Sequence, residues 1–442
     1  MKIKSFIPIV LTAAACSLLS ARIALAEGFA VPELSVAGLG TANAMVANPE
    51  ERGAFAYNPA AMAFHQQSSL AVGSLFINPN FSVRTTTGKH DSSGVDWIAA
   101  PLFQAAIRIN ERWSGGLSIN APFGLETRWK TGTFQPLTGI AILPSPPFAA
   151  GTTIPLSPQP TRSKLEILNF TPTATYRIGE HLAFSAGADF YWAKSAQLDS
   201  SITQLKGDGS GWGFNLSALY TKDALSLGLN FHSRATVQID GTYRALNNTL
   251  VAIYAASNGL RGTPPTQSAQ LDLDLPWRLT LGARYQVNPK LAVEFDWARN
   301  GWSEFTNTEV TSERTGAVLA NDVLNWKDAN AYRLGVTYQL LDRTQLRFGY
   351  SYDETAQDDE YFSARVPSND RNLFSIGISH ALDHGWQFEA GYMYVMFKDR
   401  DYSGARPYTG GAEINGTTAI AGNYEANANL LGIEISKTFN AL

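Results

Sequence analysis

The chain has 442 residues, a formal net charge of −4, 16% charged and 11% aromatic side chains, and a single cysteine. Slight acidity argues against nucleic acid as a partner, and beyond the first residues no apolar run reaches the roughly 18 residues that a membrane-crossing helix needs. A mean hydropathy of −0.12 does not exclude a membrane barrel, because half of every barrel strand is polar.

In chain order, residues 1–26 read as a secretory leader. Lys2 and Lys4 form its basic start, Phe6 to Leu19 its apolar stretch, and Ala24-Leu25-Ala26 its small-x-small cleavage site. Cleavage there starts the mature chain at Glu27, and loss of Lys2, Lys4 and Arg22 moves the net charge from −4 to about −7. Cys16 lies inside the leader. Ala13-Ala14-Ala15 before it makes a poor lipoprotein signal, so Cys16 reads as a small apolar filler. The mature chain then offers neither disulfides nor a thiol mechanism.

Residues 27–67 do not alternate; they are rich in Gly, Ala, Asn and Pro and read as a compact, irregular segment. From Ser68 onward the period is two. Tyr332, Leu334, Val336, Tyr338 and Leu340 share one face, and Arg333, Gly335, Thr337 and Gln339 share the other. A strand apolar on one side and charged on the other needs two solvents, which a transmembrane barrel supplies as lipid outside and a polar lumen inside. The pattern predicts about fourteen strands with cores at 68–77, 96–109, 112–121, 165–178, 181–198, 211–221, 224–239, 271–287, 291–309, 328–340, 343–352, 371–382, 385–398 and 425–439. The fold class is therefore all-β, a transmembrane antiparallel barrel over residues 68–442.

Connections alternate in length. Asn110-Glu111, Gly179-Glu180, Lys222-Asp223, Asn288-Pro289, Asp342-Arg343 and Asp383-His384 mark tight turns. Long loops are predicted near 78–95, 122–164, 199–210, 240–270, 310–327, 353–370 and 399–424. Short turns on the periplasmic side and long loops outside are the pattern of an outer-membrane barrel, which places the chain in the outer membrane of a Gram-negative cell.

Two of the long loops are apolar. One carries Phe134, Leu137, Ile140, Ile142, Leu143 and Phe148; the other carries Leu250, Val251, Ile253 and Tyr254. An apolar surface of this size outside a membrane marks a ligand groove, or else the loops pack on one another as a cap. Arg278, Arg284, Arg333, Arg347, Glu294, Asp296, Glu389 and Glu434 fall on lumen faces and are expected to pair there, because an unpaired buried charge is costly. One of these arginines is the alternative partner for a ligand carboxylate. Asp353, Glu354, Asp358, Asp359 and Glu360 form an acidic loop that is solvated or holds divalent cations among lipopolysaccharide headgroups. The six histidines show no metal-ligand spacing and no Gly-x-Ser-x-Gly elbow occurs, so neither a metal, a cofactor nor an outer-membrane lipase is expected.

At this point the residues resemble a known family. Gly28-Phe29, Gly38-Leu39-Gly40 and Asn58-Pro59-Ala60-Ala61-Met62 are similar to the N-terminal signature of FadL-type outer-membrane transporters of long-chain fatty acids and aromatic hydrocarbons. Pro122-Phe123-Gly124-Leu125 with Thr127 and Trp129, Leu275-Pro276-Trp277, Trp302-Ser303 with Phe305, Trp326-Lys327-Asp328, and Val366-Pro367-Ser368-Asn369-Asp370-Arg371 continue the resemblance over the mature chain. The end, Phe439-Asn440-Ala441-Leu442, departs from the aromatic last residue usual in such barrels.

The resemblance implies a fourteen-stranded barrel closed by an N-terminal hatch, here residues 27–67, and passive uptake of a hydrophobic compound, a long-chain fatty acid or a monoaromatic hydrocarbon such as toluene. It implies capture in a groove made by the two apolar loops and lateral exit where the third strand is kinked, with Pro122, Phe123 and Gly124 as the kink residues. Asn58, Pro59 and Ala60 are expected to gate that exit by satisfying strand groups at the wall gap. A monomer among outer-membrane lipids and lipopolysaccharide, without cofactor, completes the expectation.

Overall fold

The computed structural model describes residues 28–440 apart from 95, 138–140, 143–152, 155–157, 247–265 and 411–412, and gives the backbone alone at 141–142 and 153–154. The leader, and Ile140, Leu143, Phe148, Leu250, Val251, Ile253 and Tyr254 of the expected groove, lie outside the described residues, as does the side chain of Ile142.

Fourteen spanning strands form one antiparallel sheet. They are β1 (Ser68–Thr85), β2 (Ile98–Arg108), β3 (Trp113–Arg128), β4 (Pro160–Ile178), β5 (Leu182–Ser200), β6 (Thr203–Lys222) and β7 (Leu225–His232 and Ala235–Ala245). The second half comprises β8 (Thr266–Leu275 and Arg278–Asn288), β9 (Leu291–Asn300 and Asn307–Ser312), β10 (Val318–Val323 and Ala329–Leu341), β11 (Thr344–Asp353), β12 (Arg371–Ala381), β13 (Trp386–Phe397) and β14 (Gly422–Phe439). Pairing of β1 with β14, from Ser68 opposite Phe439 to Arg84 opposite Asn423, closes the cylinder, so neither terminal strand is left as a sheet edge.

The alternation that predicts the strands also orients them. On β5, Phe184, Ala186 and Trp192 are exposed while Ala183, Ser185, Asp189 and Tyr191 are buried. Phe348 and Tyr350 of β11 face out, with Arg347 and Ser351 facing in. Side chains two apart share a face, so one set meets lipid and the other the lumen. Turn chemistry fixes the short connections. The Asn110 carboxamide accepts from the Arg112 and Trp113 amides at 2.9 Å each, and Asp223 and Gly179 hold positive φ at their turns.

The predicted loops are too long in several places. Residues 78–85, 122–128, 203–210, 240–245, 266–270, 310–312 and 318–323 continue the ladder. A membrane needs only about 9–11 residues of each strand. Above it both faces of the sheet meet water or loops, so the apolar period fades while backbone pairing goes on.

The N-terminal segment fills the lumen. Its one described α-helix, α1 (Val36–Gly40), is capped by Ser35, whose hydroxyl accepts from the Gly38 amide at 3.0 Å. Short 3-10 turns follow at Arg52–Ala56 and Pro59–Phe64. α1 packs directly on the wall because Gly377, Gly391 and Gly432 stand side by side on β12, β13 and β14. A Cβ on Gly377 would lie 2.9 Å from the Gly40 Cα, and one on Gly432 would lie 2.8 Å from the Leu39 side chain.

Polar contacts fasten the hatch elsewhere. Asp296 accepts from the Met45 and Val46 amides at 2.8 and 3.0 Å, and Glu294 from the Ala47 amide at 2.7 Å. Arg284 pairs with Glu50 at 3.1 Å, and Arg347 pairs with Glu51 and, at 2.9 Å, with Glu389. Burial raises the Glu51 carboxyl, but the Arg347 guanidinium beside it outweighs that and holds it below its ordinary value. Two of the four lumen arginines are thus committed to the hatch.

Candidate functional site

The wall is not sealed everywhere. β2 and β3 pair from Arg108 opposite Ser114 up to Phe103 opposite Ile119, and there the ladder stops. Above that point residues 98–102 of β2 remain paired with β1, and residues 123–128 of β3 remain paired with β4. The two strands diverge, and the cause lies in β3. Between Asn120 and Phe123 its register against β4 shifts, so Ala121 and Pro122 bulge out of the ladder. Pro122 has no amide hydrogen to give, and a bulge bends the strand that contains it. The kink residues named from the sequence, Pro122, Phe123 and Gly124, therefore sit at this divergence.

An open strand edge at membrane depth needs a partner, since each unmet backbone group there costs several kcal/mol. The partner is the start of the hatch. The Val31 amide donates to the Pro122 carbonyl at 2.9 Å, the Gly124 amide donates to the Phe29 carbonyl at 3.1 Å, and Ala30 bridges Phe123 in antiparallel fashion. Three residues of hatch thus replace β2 as the neighbour of β3.

This corrects the placement expected for Asn58-Pro59-Ala60. Those residues do meet the wall, but at β4–β6. Thr175 donates to the Pro59 carbonyl at 3.0 Å, the Ala60 amide donates to the Ser217 hydroxyl at 3.1 Å, and the Asn58 carboxamide donates to the Ala218 carbonyl at 3.0 Å and to Val46 O at 2.6 Å. The physical reason is local. Asn58 is the N-cap of the Pro59–Phe64 turn, so its amide nitrogen is directed at the nearest wall, and that wall is β6.

Aromatic packing holds the substitute strand down. The Phe29 ring lies 4.7 Å from Trp302, 5.5 Å from Phe305, 5.8 Å from Trp326 and 5.9 Å from Phe123, centroid to centroid and mostly edge to face. Such pairs are worth about 0.5–1.5 kcal/mol each beyond burial. Gly28 precedes it at φ +61, and a Cβ there would lie 2.6 Å from the Trp326 ring. Sequence reading lists these five aromatics as separate fragments; only the fold gathers them around Phe29.

Three apolar spaces adjoin this clamp. Within the lumen, one of about 110 Å3 lies between Phe29, Val31, Phe81, Phe397 and Leu430, and another of about 70 Å3 lies between Phe29, Leu165, Leu198, Leu273 and Phe305. The third, about 250 Å3 and open at its mouth, sits in the gap between β2 and β3, lined by Val31, Ile98, Ala100, Ala121 and Phe123 among others. Leu125 lines all three, and Val31 lines both the first and the third. The hatch start therefore stands between the lumen and the opening in the wall.

Below the clamp lies a more polar cavity of about 50 Å3, faced by Arg278, Arg333, His232, Asn230 and Tyr57. The Arg278 guanidinium lies 5.3 Å above the Phe123 ring and donates to the Tyr191 hydroxyl at 3.3 Å. Of the four lumen arginines, these two line this cavity.

The loop expectations fare differently. Phe134 and Leu137 are fully buried with Trp129, Phe362, Tyr402 and Tyr424 in a packed cap over the barrel. Three long connections, β3–β4, β11–β12 and β13–β14, meet there with the ends of β1 and β14, and mutual packing satisfies their apolar faces. In the acidic loop, Asp353 pairs with Arg371 at 2.9 Å, Asp358 with Lys327 at 3.3 Å and Asp359 with Arg400 at 2.6 Å, so these carboxylates are tied to cations of the protein itself.

Comparison with known proteins adds the family context. Residues 17–137 and 151–439 match the family described as outer membrane protein transport protein (OMPP1/FadL/TodX). The long-chain fatty acid transport protein of Escherichia coli K12 is 25% identical over 431 residues, covering 87% of this chain and 90% of that protein. Outer membrane protein P1 of Haemophilus influenzae is 24% identical over 487 residues, covering 96% and 98%. Among solved structures, a FadL homologue of Pseudomonas aeruginosa superposes with a TM-score of 0.75 at 18% identity, covering 94% of this chain and all of that one. The Pseudomonas putida toluene transporter TodX superposes with a TM-score of 0.65 at 16% identity, covering 92% and 100%.

Proposed function

This chain belongs to the OMPP1/FadL/TodX family of outer membrane transport proteins, and from that membership we propose that it takes up hydrophobic compounds, long-chain fatty acids first, and releases them sideways through its wall. The observation that carries the reading is the gap between β2 and β3, whose apolar pocket is parted from the apolar lumen spaces by Phe29–Val31 alone of the hatch. A hydrophobic molecule that leaves the lumen downward would cross the polar hatch contacts; one that leaves sideways stays in apolar surroundings throughout. Relatives named long-chain fatty acid transport proteins support the choice of substrate. So do Arg278 and Arg333 beside the clamp, which suit a carboxylate head. Transport is passive, driven by partition into apolar sites, and is carried out by a single barrel.

The hatch start acts as the gate in this reading. Displacing Phe29–Val31 toward the lumen would join the inner spaces to the pocket in the wall. Asn58, Pro59 and Ala60 fix the far side of the hatch against β4–β6 while its start moves. Pro122, Phe123 and Gly124 keep β3 away from β2 so that an exit exists.

The test is uptake of labelled oleate, beside labelled toluene, by cells that lack their own such transporter and express this chain. Saturable oleate uptake that falls several-fold when Ala121→Trp fills the wall pocket, with the barrel still inserted, is the expected result. Toluene uptake without oleate uptake would move the assignment to monoaromatic hydrocarbons. Oleate uptake indifferent to Ala121→Trp would overturn lateral release.

A further inference from the structure

We propose that Lys194, at the rim of the wall pocket, anchors the anionic head of the departing amphiphile and so makes this opening discriminate acids from neutral hydrocarbons. The inference rests on the lateral-release reading and adds a specificity-determining residue to it.

The pocket between β2 and β3 is apolar over most of its lining, and among the described residues only four charged ones reach it: Glu126, Lys164, Glu166 and Lys194. Three of the four are already answered. Glu126 is almost fully buried and is held by Arg128 at 3.0 Å and Arg162 at 2.8 Å. Lys164 and Glu166 pair with each other at 2.9 Å. Lys194 is exposed and makes neither a hydrogen bond nor an ion pair among the described residues.

Its place on β5 has a structural cause. The register between β5 and β6 shifts between Ala193 and Ala196, and the register of β4 against β5 shifts between Glu166 and Ile167. Both shifts fall on one bulge of β5 at Lys194-Ser195, and Lys194 lines the pocket there. The level is just above Trp192 and Trp212, exposed aromatics of the kind that mark the membrane interface. A molecule with a long apolar tail and a monoanionic head can then lie with its tail along Ala100, Ala121 and Leu165 and its head at the ammonium group. A neutral hydrocarbon gains nothing from that charge. The shared chemistry, an anionic group at the interface, also fits a phosphate of the outer leaflet, and the test separates the two sources.

The test uses the full-length barrel purified in a lipopolysaccharide-free nonionic detergent, with oleate and oleyl alcohol as paired probes. Wild type, Lys194→Gln and Lys194→Glu are compared by equilibrium binding at low salt. For an exposed ion pair the expected loss on Lys194→Gln is about two- to fivefold for oleate, larger for Lys194→Glu, with oleyl alcohol unchanged. Raising the salt should erase the difference between the oleate values. Equal loss for both probes, or no loss for either, overturns the anchor. An effect on oleate uptake in cells without any effect in detergent also overturns it, and assigns Lys194 to lipid phosphate. If wild type binds neither probe, the failure lies in the transport reading and the anchor falls with it.

Discussion

Replacing Phe29 by Ala tests the clamp most directly. The ring is 5% exposed and touches four aromatic partners within 5.9 Å. Truncating a packed Phe costs about 3–5 kcal/mol. What remains to hold residues 29–31 on β3 is two backbone hydrogen bonds, each worth about 1 kcal/mol net. The hatch start should therefore open far more often while the barrel, closed by the long β1–β14 ladder, stays intact. The loss corresponds to about 10² to 5 × 10³ in the local opening equilibrium. Hydrogen exchange at the Val31 and Gly124 amides reads this, because both donate across the hatch–β3 seam. Exchange there should accelerate by that factor, with amides in the middle of β11 and β12 unchanged. Wild-type protection of Val31 and Gly124 in Phe29→Ala would refute the claim that aromatic packing holds this seam.

Two further outcomes follow from the way the hatch fits. A Cβ on Gly228 would lie 2.0 Å from the Val46 carbonyl oxygen, a backbone atom that cannot yield cheaply. Gly228→Val should displace the hatch and raise ion conductance in planar bilayers, whereas Gly115→Ala, whose Cβ would meet nothing nearer than 3.8 Å, should not; equal conductance in both would show that the hatch does not block the lumen there. Burial pushes the His65 imidazole down to about 4 from its ordinary 6.5, with Glu51 opposing in part. The folded pKa lies below the unfolded one, so the contribution of the neutral ring is complete above about pH 6.5 and is lost as pH falls toward 4. Proteolytic nicking near residues 65–67 should rise over that window in wild type and be pH-independent in His65→Gln; a flat wild-type profile would remove His65 from the account.

Strand number, the lipid-facing set and the tight turns are all legible in the sequence, because each is set by neighbours in the chain. A side chain two positions along returns to the same face, so the contrast between Leu334 and Arg333 survives in any reading of period two. Asn110 and Gly179 act on their own backbones, and need no distant partner to announce a turn. The lumen positions of Arg284 and Arg347 follow from the same alternation. Strand ends above the membrane do not, since Gly207-Asp208-Gly209 pairs through its backbone alone and carries no apolar period.

Only the tertiary structure decides what stands at the opening. Pro122 signals a disturbed strand, yet its sequence neighbourhood does not say that β2 parts from β3 there or that Phe29–Val31 takes the vacated edge. Asn58-Pro59-Ala60 has the composition for that task and sits on β4–β6, because the path of the hatch through the lumen sets which wall each of its segments meets. Phe29, Phe123, Trp302, Phe305 and Trp326 are up to about three hundred residues apart, and long-range packing of that kind leaves no periodic trace along the chain. The local rules build the cylinder; its closure brings distant residues together, and those contacts define the gate.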